Sequence, residues 1–467
     1  MQGGHPDGLS NVLRSRVCKT GGSKKQRAAS FDQSYDSVDE IQISPVADAL
    51  LFKLRRWFTL YILATPVIWM YGYWSVKKFK QRKQRLVKEG TLFVSRLQLS
   101  LGCGTRPLMD NFFIFTSLLA EEEFYLLALP MLIWNIDYQY GRYMTMLVCG
   151  SLIVGNMLKD VFKLPRPSRQ QVWIPPVLTS LDSTAARDFG FPSTHAMNAL
   201  SNPLFTLLYM YYRPGESEGV TFPYYYTVAM GTLWFLSITV GRMCLGVHSP
   251  TDLRGGIILG VISAVFWHIT CDVWDAWTRT ASFVAVKVIL LALLILVLKP
   301  QNRPLTPTFL QNVLLAGLMA GCTIGTQLHH SNSKVIDIET SVGMIGGLPD
   351  IGARVEAFPP IVAHTVRVII GYTLVLSTRQ LVKIVLVAFV QALGFQPNPQ
   401  SAPNIDDAAE LKRIRKQEAH ILRGWDLFSA AFVKFGTYLT IAFLIMYVCP
   451  QAFRALNISA PATHMMR

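Results

Sequence analysis

Three short polar segments, each at the edge of an apolar run, carry the residue types that phosphate-ester chemistry needs. Residues 159–167 read Lys-Asp-Val-Phe-Lys-Leu-Pro-Arg-Pro, residues 192–195 read Pro-Ser-Thr-His, and Arg242 is followed by His248 and Asp252. Lys159 and Arg242 can neutralise a phosphoryl dianion, and the planar fork of Arg166 can hold two of its oxygens. Two imidazoles, His195 and His248, can divide nucleophilic and acid duties.

The flanking residues say how these groups are presented. Pro165 and Pro167 stiffen the backbone on either side of Arg166 and stop the preceding helix. Pro192-Ser193-Thr194-His195 stands directly before an apolar run, so it reads as a helix start with Ser193 or Thr194 as N-cap. Free N–H groups there suit phosphate oxygens, with His195 turned to the leaving group. A nucleophilic histidine needs a carboxylate on its second ring nitrogen, and the spacing of four between His248 and Asp252 permits that contact on one helical turn. Taken singly, the segments fit duller roles: a positive flank, a capped helix with an interfacial histidine, a capping aspartate. With spans at 143–158, 195–213 and 223–241, however, all three fall on one membrane face.

The elements that position them are read from hydropathy. Half of the 467 residues are hydrophobic (51%), 16% are charged, and the mean hydropathy is positive. Apolar runs near 112–134, 143–158, 195–213, 223–241, 253–271, 281–298, 308–327, 360–378 and 430–448 approach the ~20 residues that cross a bilayer as a helix. The expected fold class is therefore an all-α polytopic membrane protein, a helical bundle of about nine transmembrane spans. Residues 1–56 read as a disordered basic tail, and 57–109 as an interfacial or membrane-associated basic segment. Within the latter, 57–76 suits a span and an interfacial helix equally, and 77–96, with eight Lys and Arg, suits a headgroup-facing helix. The catalytic core is expected at 110–272, further helices at 273–450, and a C-terminal tail at 451–467.

The net charge of +15 sits in loops and in the N-terminal stretch without interleaved aromatics, which points to anionic lipid headgroups rather than nucleic acid. Seven scattered cysteines without a CxxC pair support neither a disulfide framework nor a zinc site. Glu121, Glu122 and Glu123 interrupt an apolar stretch; they read as a helix end or a cavity wall, with no catalytic role assigned.

The order and spacing of the three segments resemble the phosphatidic acid phosphatase type 2 superfamily. The Pro-Ser-Thr-His form, with Thr194 where many members have glycine, is similar to its sphingosine 1-phosphate phosphatase branch. Glu123-Phe124-Tyr125, Trp134-Asn135, Phe191 to Asn198, Val342-Gly343 and Pro359-Pro360 add to the likeness, which is strongest over 120–260. The resemblance implies that His248 attacks phosphorus, Asp252 orients it and His195 protonates the departing alkoxide. It further implies that Lys159, Arg166, Ser193, Thr194 and Arg242 hold the phosphate, with no metal or other cofactor. The implied substrate is a membrane lipid, a long-chain sphingoid base 1-phosphate; another lipid phosphate such as phosphatidic acid or dolichyl diphosphate is the alternative, as is a silent lipid-binding relative.

The same resemblance implies an endoplasmic reticulum membrane with a lumenal site. Charge points the other way, since the basic 77–96 and 379–429 segments fall on the active-site face, which the positive-inside tendency makes cytosolic.

Overall fold

A computed structural model of the chain describes residues 85–168, 170–176, 189–212, 224–299, 308–345, 360–394, 427–456 and 458. The tail at 1–56, the 57–76 segment, the charged stretch near 404–424 and Asn457 lie outside the described residues. The described residues are helical, with no strand among them. The helices are α1 (residues 85–101), α2 (Pro107–Leu118), α3 (Glu122–Asn135), α4 (Tyr138–Phe162), α5 (Thr194–Tyr212), α6 (Tyr224–Cys244) and α7 (Pro250–Thr280). Then follow α8 (Val284–Leu298), α9 (Thr308–Ile345), α10 (Pro360–Ala392) and α11 (Leu427–Phe443), which continues through a π-turn at Leu444–Val448 into α12 (Cys449–Ala455).

Among the described residues, six stretches are long and apolar enough to cross a bilayer: α4, α6, α7, Thr308–Asn332 of α9, Ile361–Ala392 of α10, and Ser429–Ala455. They coincide with six of the nine apolar runs, and the chain is a multi-pass membrane protein. Of the other three runs, 281–298 forms the shorter apolar helix α8, and 195–213 forms α5, with Pro203 inside it. The run at 112–134 is not one helix. It breaks at residues 119–121 into α2 and α3, because Glu121 takes an extended backbone (φ −79°, ψ 161°) at the start of α3.

Contacts along α4 fix the directions of its neighbours. Arg142 near its start pairs with Asp275 near the end of α7, and Tyr138 stacks on His329 far along α9. At its other end Asn156 donates to Asn312 near the start of α9 at 2.9 Å. Both α7 and α9 therefore run antiparallel to α4, which gathers the end of α4 and the starts of α7 and α9 at one face. Glycines set the closest approaches: a Cβ at Gly317 or Gly321 of α9 would lie 2.6 Å from Phe435 O or 2.0 Å from Leu439 O of α11. Without a hydrophobic driving force between helices in lipid, such small-residue stripes are how backbones pack. Tyr143, Phe205 and Tyr209 pack together between α4 and α5, while Trp134 of α3 packs against Tyr372 of α10 and Phe453 of α12.

Helix α1 is amphipathic. Gly90, Thr91, Val94, Ser95 and Gln98 are buried, while Leu92, Phe93 and Leu99 are exposed. Gln98 donates to both Trp173 O and Cys244 O at 2.8 Å, so α1 lies across the site-bearing loops as a strap.

Candidate active site

The first segment is shaped where α4 ends. Lys163 takes the left-handed conformation (φ 52°) and returns its N–H to Lys159 O at 2.9 Å, after which the Pro-bounded Arg166 follows without regular structure. Gly190 N–H donates to Leu164 O at 2.8 Å and ties the far end of the loop to its beginning. A Cβ on Gly190 would lie 3.1 Å from Asp252 Oδ2 and 3.3 Å from Arg166 Cα, so Gly190 sits between the arginine loop and the aspartate. Lys159 is buried. Beside it, the Asp160 carboxylate is held by Lys299 Nζ and accepts from Thr308 Oγ1 at 2.8 Å, which anchors this end of α4 on the second half of the chain.

Ser193 caps α5: its Oγ accepts from Ala196 N–H at 3.4 Å, and its own N–H donates to Asp252 O at 3.1 Å. The seryl hydroxyl is thus engaged in capping as well as standing at a helix N-terminus where anions bind. Thr194 points its γ-methyl at α4, where a Cβ on Gly155 would be 2.7 Å away. Across the site, α7 presses on this segment so closely that a Cβ at Gly256 would sit 2.3 Å from Ser193 O.

His248 and Asp252 do not share a helical turn as their spacing suggests. Ser249 is the N-cap of α7 and Pro250 its first residue, so His248 belongs to the preceding turn. Asp252 is the third helical residue of a capping box: its Oδ2 accepts from Ser249 N–H at 2.7 Å, and its N–H donates to Ser249 Oγ at 3.3 Å. The carboxylate nevertheless faces the imidazole, with Oδ2 3.6 Å from His248 Nδ1. Arg242 O accepts from Val247 N–H at 3.2 Å and shapes the turn, which Gly246 (φ 70°) makes possible.

His248 is almost fully buried, and its ring centroid is 6.4 Å from that of His195. Burial first, and then the charges of Arg166, Arg242, His195 and Lys159, push its pKa well below the ordinary 6.5 and keep the imidazole neutral. The three sequence segments meet at this histidine: Gly190 lies between Arg166 and Asp252, Ser193 N–H donates to Asp252 O, and Asp252 faces His248.

One residue absent from the predicted set joins them. Glu121, at the break between α2 and α3, places Oε1 3.0 Å from His195 Nε2 and 3.5 Å from Arg242 Nη1. Arg242 Nη1 also donates to Ser117 Oγ of α2 at 2.7 Å. Burial opposes the charge on Glu121, but His195, Arg242 and Arg166 outweigh it and hold the carboxyl well below its usual range. The signal was present in the sequence, because a carboxylate inside an apolar run is a functional suspect by default. The helix break that turns Glu121 inward, however, is not visible in hydropathy.

The arrangement supplies a neutral buried imidazole, a second imidazole beside it, and cationic side chains around both. Residues 140–275 match the PAP2 superfamily. The chain is similar to a dihydrosphingosine 1-phosphate phosphatase of Schizosaccharomyces pombe, 28% identical over 47% of this chain and 52% of that protein. It is also similar to sphingosine-1-phosphate phosphatase 2 of Homo sapiens (27% identical, 58% of this chain, 64% of that protein). A third relative is lipid phosphate phosphatase delta of Arabidopsis thaliana (30%, 48% and 53%). The matched part thus spans between half and two thirds of each of these relatives. No solved structure matches the chain. The segment that matches the PAP2 superfamily contains all three polar motifs.

Proposed function

We propose that the chain is a lipid phosphate phosphatase of the endoplasmic reticulum membrane that hydrolyses sphingoid long-chain base 1-phosphates to free base and inorganic phosphate. The observation that carries the reading is the neutral, buried His248 set beside His195 among Lys159, Arg166 and Arg242.

In the proposed reaction, Nε2 of His248, the nitrogen turned away from Asp252, attacks phosphorus. The bond from phosphorus to the lipid C1 oxygen breaks as the N–P bond forms, and His195 gives its proton to the departing alkoxide. His248 gains positive charge as it bonds to phosphorus, and the Asp252 carboxylate 3.6 Å from Nδ1 stabilises it. Lys159, Arg166 and Arg242 neutralise charge on the phosphoryl oxygens, a duty that divalent cations perform in many phosphoryl-transfer sites, so the reaction is proposed to need no metal. Backbone N–H groups at the Ser193–Thr194 helix start add to that hold. His195, now neutral, takes a proton from water, whose oxygen attacks the phosphohistidine, releasing phosphate and regenerating His248. The lipid tail stays in the bilayer, which fits a site at the ends of apolar helices.

The test is a phosphate-release assay on the purified full chain with sphingosine 1-phosphate, phosphatidic acid and a polyprenyl diphosphate, each with and without EDTA. The expected result is preference for the first substrate, insensitivity to EDTA, and an acid-labile, alkali-stable phosphoenzyme that is lost in His248→Ala. Preference for either other lipid, or full turnover by His248→Ala, would overturn the reading.

A further inference from the structure

Glu121 faces the leaving-group side of the site. Its Oε1 is 3.0 Å from Nε2 of His195, the group proposed to protonate the departing oxygen. The residue is half-buried rather than sealed off, with 37% of its side chain exposed, whereas His195, Arg242, His248 and Asp252 are far more enclosed. A carboxylate is a poor neighbour for a phosphate: its charge repels the very dianion that Lys159, Arg166 and Arg242 attract. It is a good neighbour for a cation attached to the leaving group.

A sphingoid base 1-phosphate carries such a cation. Its ammonium sits on the carbon next to the ester carbon, three bonds from the oxygen that leaves. Wherever that oxygen approaches His195 Nε2, the ammonium comes within reach of the carboxylate 3.0 Å from the same nitrogen. Asp252, the other carboxylate of the site, is engaged by the Ser249 N–H and faces His248 on the nucleophile side. The two carboxylates thus face different histidines, Asp252 the proposed nucleophile and Glu121 the proposed acid.

We propose that Glu121 is the specificity determinant that binds the C2 ammonium of the substrate and separates free-amine sphingoid phosphates from lipid phosphates lacking that charge. The inference rests on the phosphatase reading above. In phosphatidic acid the corresponding carbon bears an ester, and in an N-acylated sphingoid phosphate the nitrogen is a neutral amide. Neither offers a charge to Glu121, whose counter-charges are then those of the protein alone, among them His195, Arg242 and Arg166.

The experiment compares kcat/KM of the full-length wild type and Glu121→Gln on sphingosine 1-phosphate and on its N-acetyl derivative, which differs only at nitrogen. Glutamine keeps the size and one acceptor, and turnover of the N-acetyl substrate reports that the variant is folded. The expected result is a wild-type preference for the free amine and a loss in Glu121→Gln of about 10- to 100-fold on that substrate, the range of a charge-assisted hydrogen bond. On the N-acetyl substrate any loss, through the contact with His195, should be smaller, so that the variant's preference for the free amine falls by about 10-fold or more. Equal losses on both substrates would show that Glu121 only positions His195 and Arg242, sinking this inference and leaving the phosphatase reading in place. A wild type that does not favour the free amine would overturn both.

Discussion

His248 Nδ1 lies 3.6 Å from Asp252 Oδ2, and the same oxygen accepts the Ser249 N–H at 2.7 Å. One carboxylate therefore caps a transmembrane helix and faces the proposed nucleophile. The two duties separate in Asp252→Asn. An asparagine oxygen still accepts from Ser249 N–H, so thermal stability should fall by no more than about 1 kcal/mol, the typical worth of a cap. The amide carries no negative charge to support the imidazolium, so kcat should fall by at least about 100-fold, in line with aspartates that orient a catalytic histidine. Steady-state kinetics alongside a thermal melt in detergent would check this; a parallel loss of stability and activity would mean that Asp252 serves α7 alone.

Gly256 transmits helix packing directly to the site. Its Cα stands where any Cβ would come within 2.3 Å of Ser193 O, too close for a side chain without backbone movement. Gly256→Ala should push the Ser193–His195 segment away from α7, costing about 1–3 kcal/mol by overpacking. It should also weaken activity, because the Ser193 N–H to Asp252 O bond spans the same contact at 3.1 Å. Gly150, whose added Cβ would meet nothing, is the control: Gly150→Ala should leave both properties unchanged.

The residues that converge in the structure were legible because each is polar at the edge of an apolar run, and a bilayer leaves few reasons for that. Lys159, Arg166, His195, Arg242 and His248 needed only the alternation of spans to fall on one face, and the helices largely follow the runs. Other features are legible only in part. The spacing of four suggests one helical turn for His248 and Asp252, whereas Ser249-Pro250 followed by Asp252 carries the local signal of a capping box that excludes His248 from the helix. Glu121 to Glu123 mark a helix end in the sequence, but hydropathy averages across the break at residues 119–121 and does not show that Glu121 turns towards His195. Lys299 stands directly after the apolar run 281–298. Its pairing with Asp160 across 139 residues follows from helix packing, which no local pattern encodes.

The buried neutral state of His248 has a consequence for stability against pH. The groups acting on it are Arg166, Arg242, His195 and Lys159, with Asp252 opposite, and its native pKa lies well below 6.5. Above about pH 6.5 neither the native nor the unfolded chain carries this proton, and His248 contributes no pH dependence. As pH falls below that value the unfolded chain binds a proton that the native chain refuses. Stability therefore drops by about 1.4 kcal/mol per pH unit from this group until the native pKa is reached. Melting temperatures of wild type and His248→Asn at pH 7.5 and 5.0 would check the sign, since the variant should lose less on acidification. An equal loss in both would show that His248 is not held neutral.

Asp160 and Lys299 are both almost fully buried, at 0% and 1% side-chain exposure, and pair directly while sharing Thr308. The chain passes from Asp160 to the proposed phosphate ligand Lys159 in one peptide bond, so this pair fixes the end of α4 against the junction of α8 and α9. Lys299→Met should leave a buried carboxylate without its counter-charge and cost about 3–5 kcal/mol. The double variant Asp160→Asn/Lys299→Met should recover most of that stability, because the amide no longer needs a counter-charge and can still accept from Thr308. A double-mutant cycle on melting stability would therefore show a strong coupling between the two positions. Activity read on the same four proteins separates packing from chemistry. If the pair acts by positioning Lys159, the double variant should regain turnover together with stability, whereas recovered stability without turnover would mean that the Lys299 charge itself contributes to the field at the phosphate.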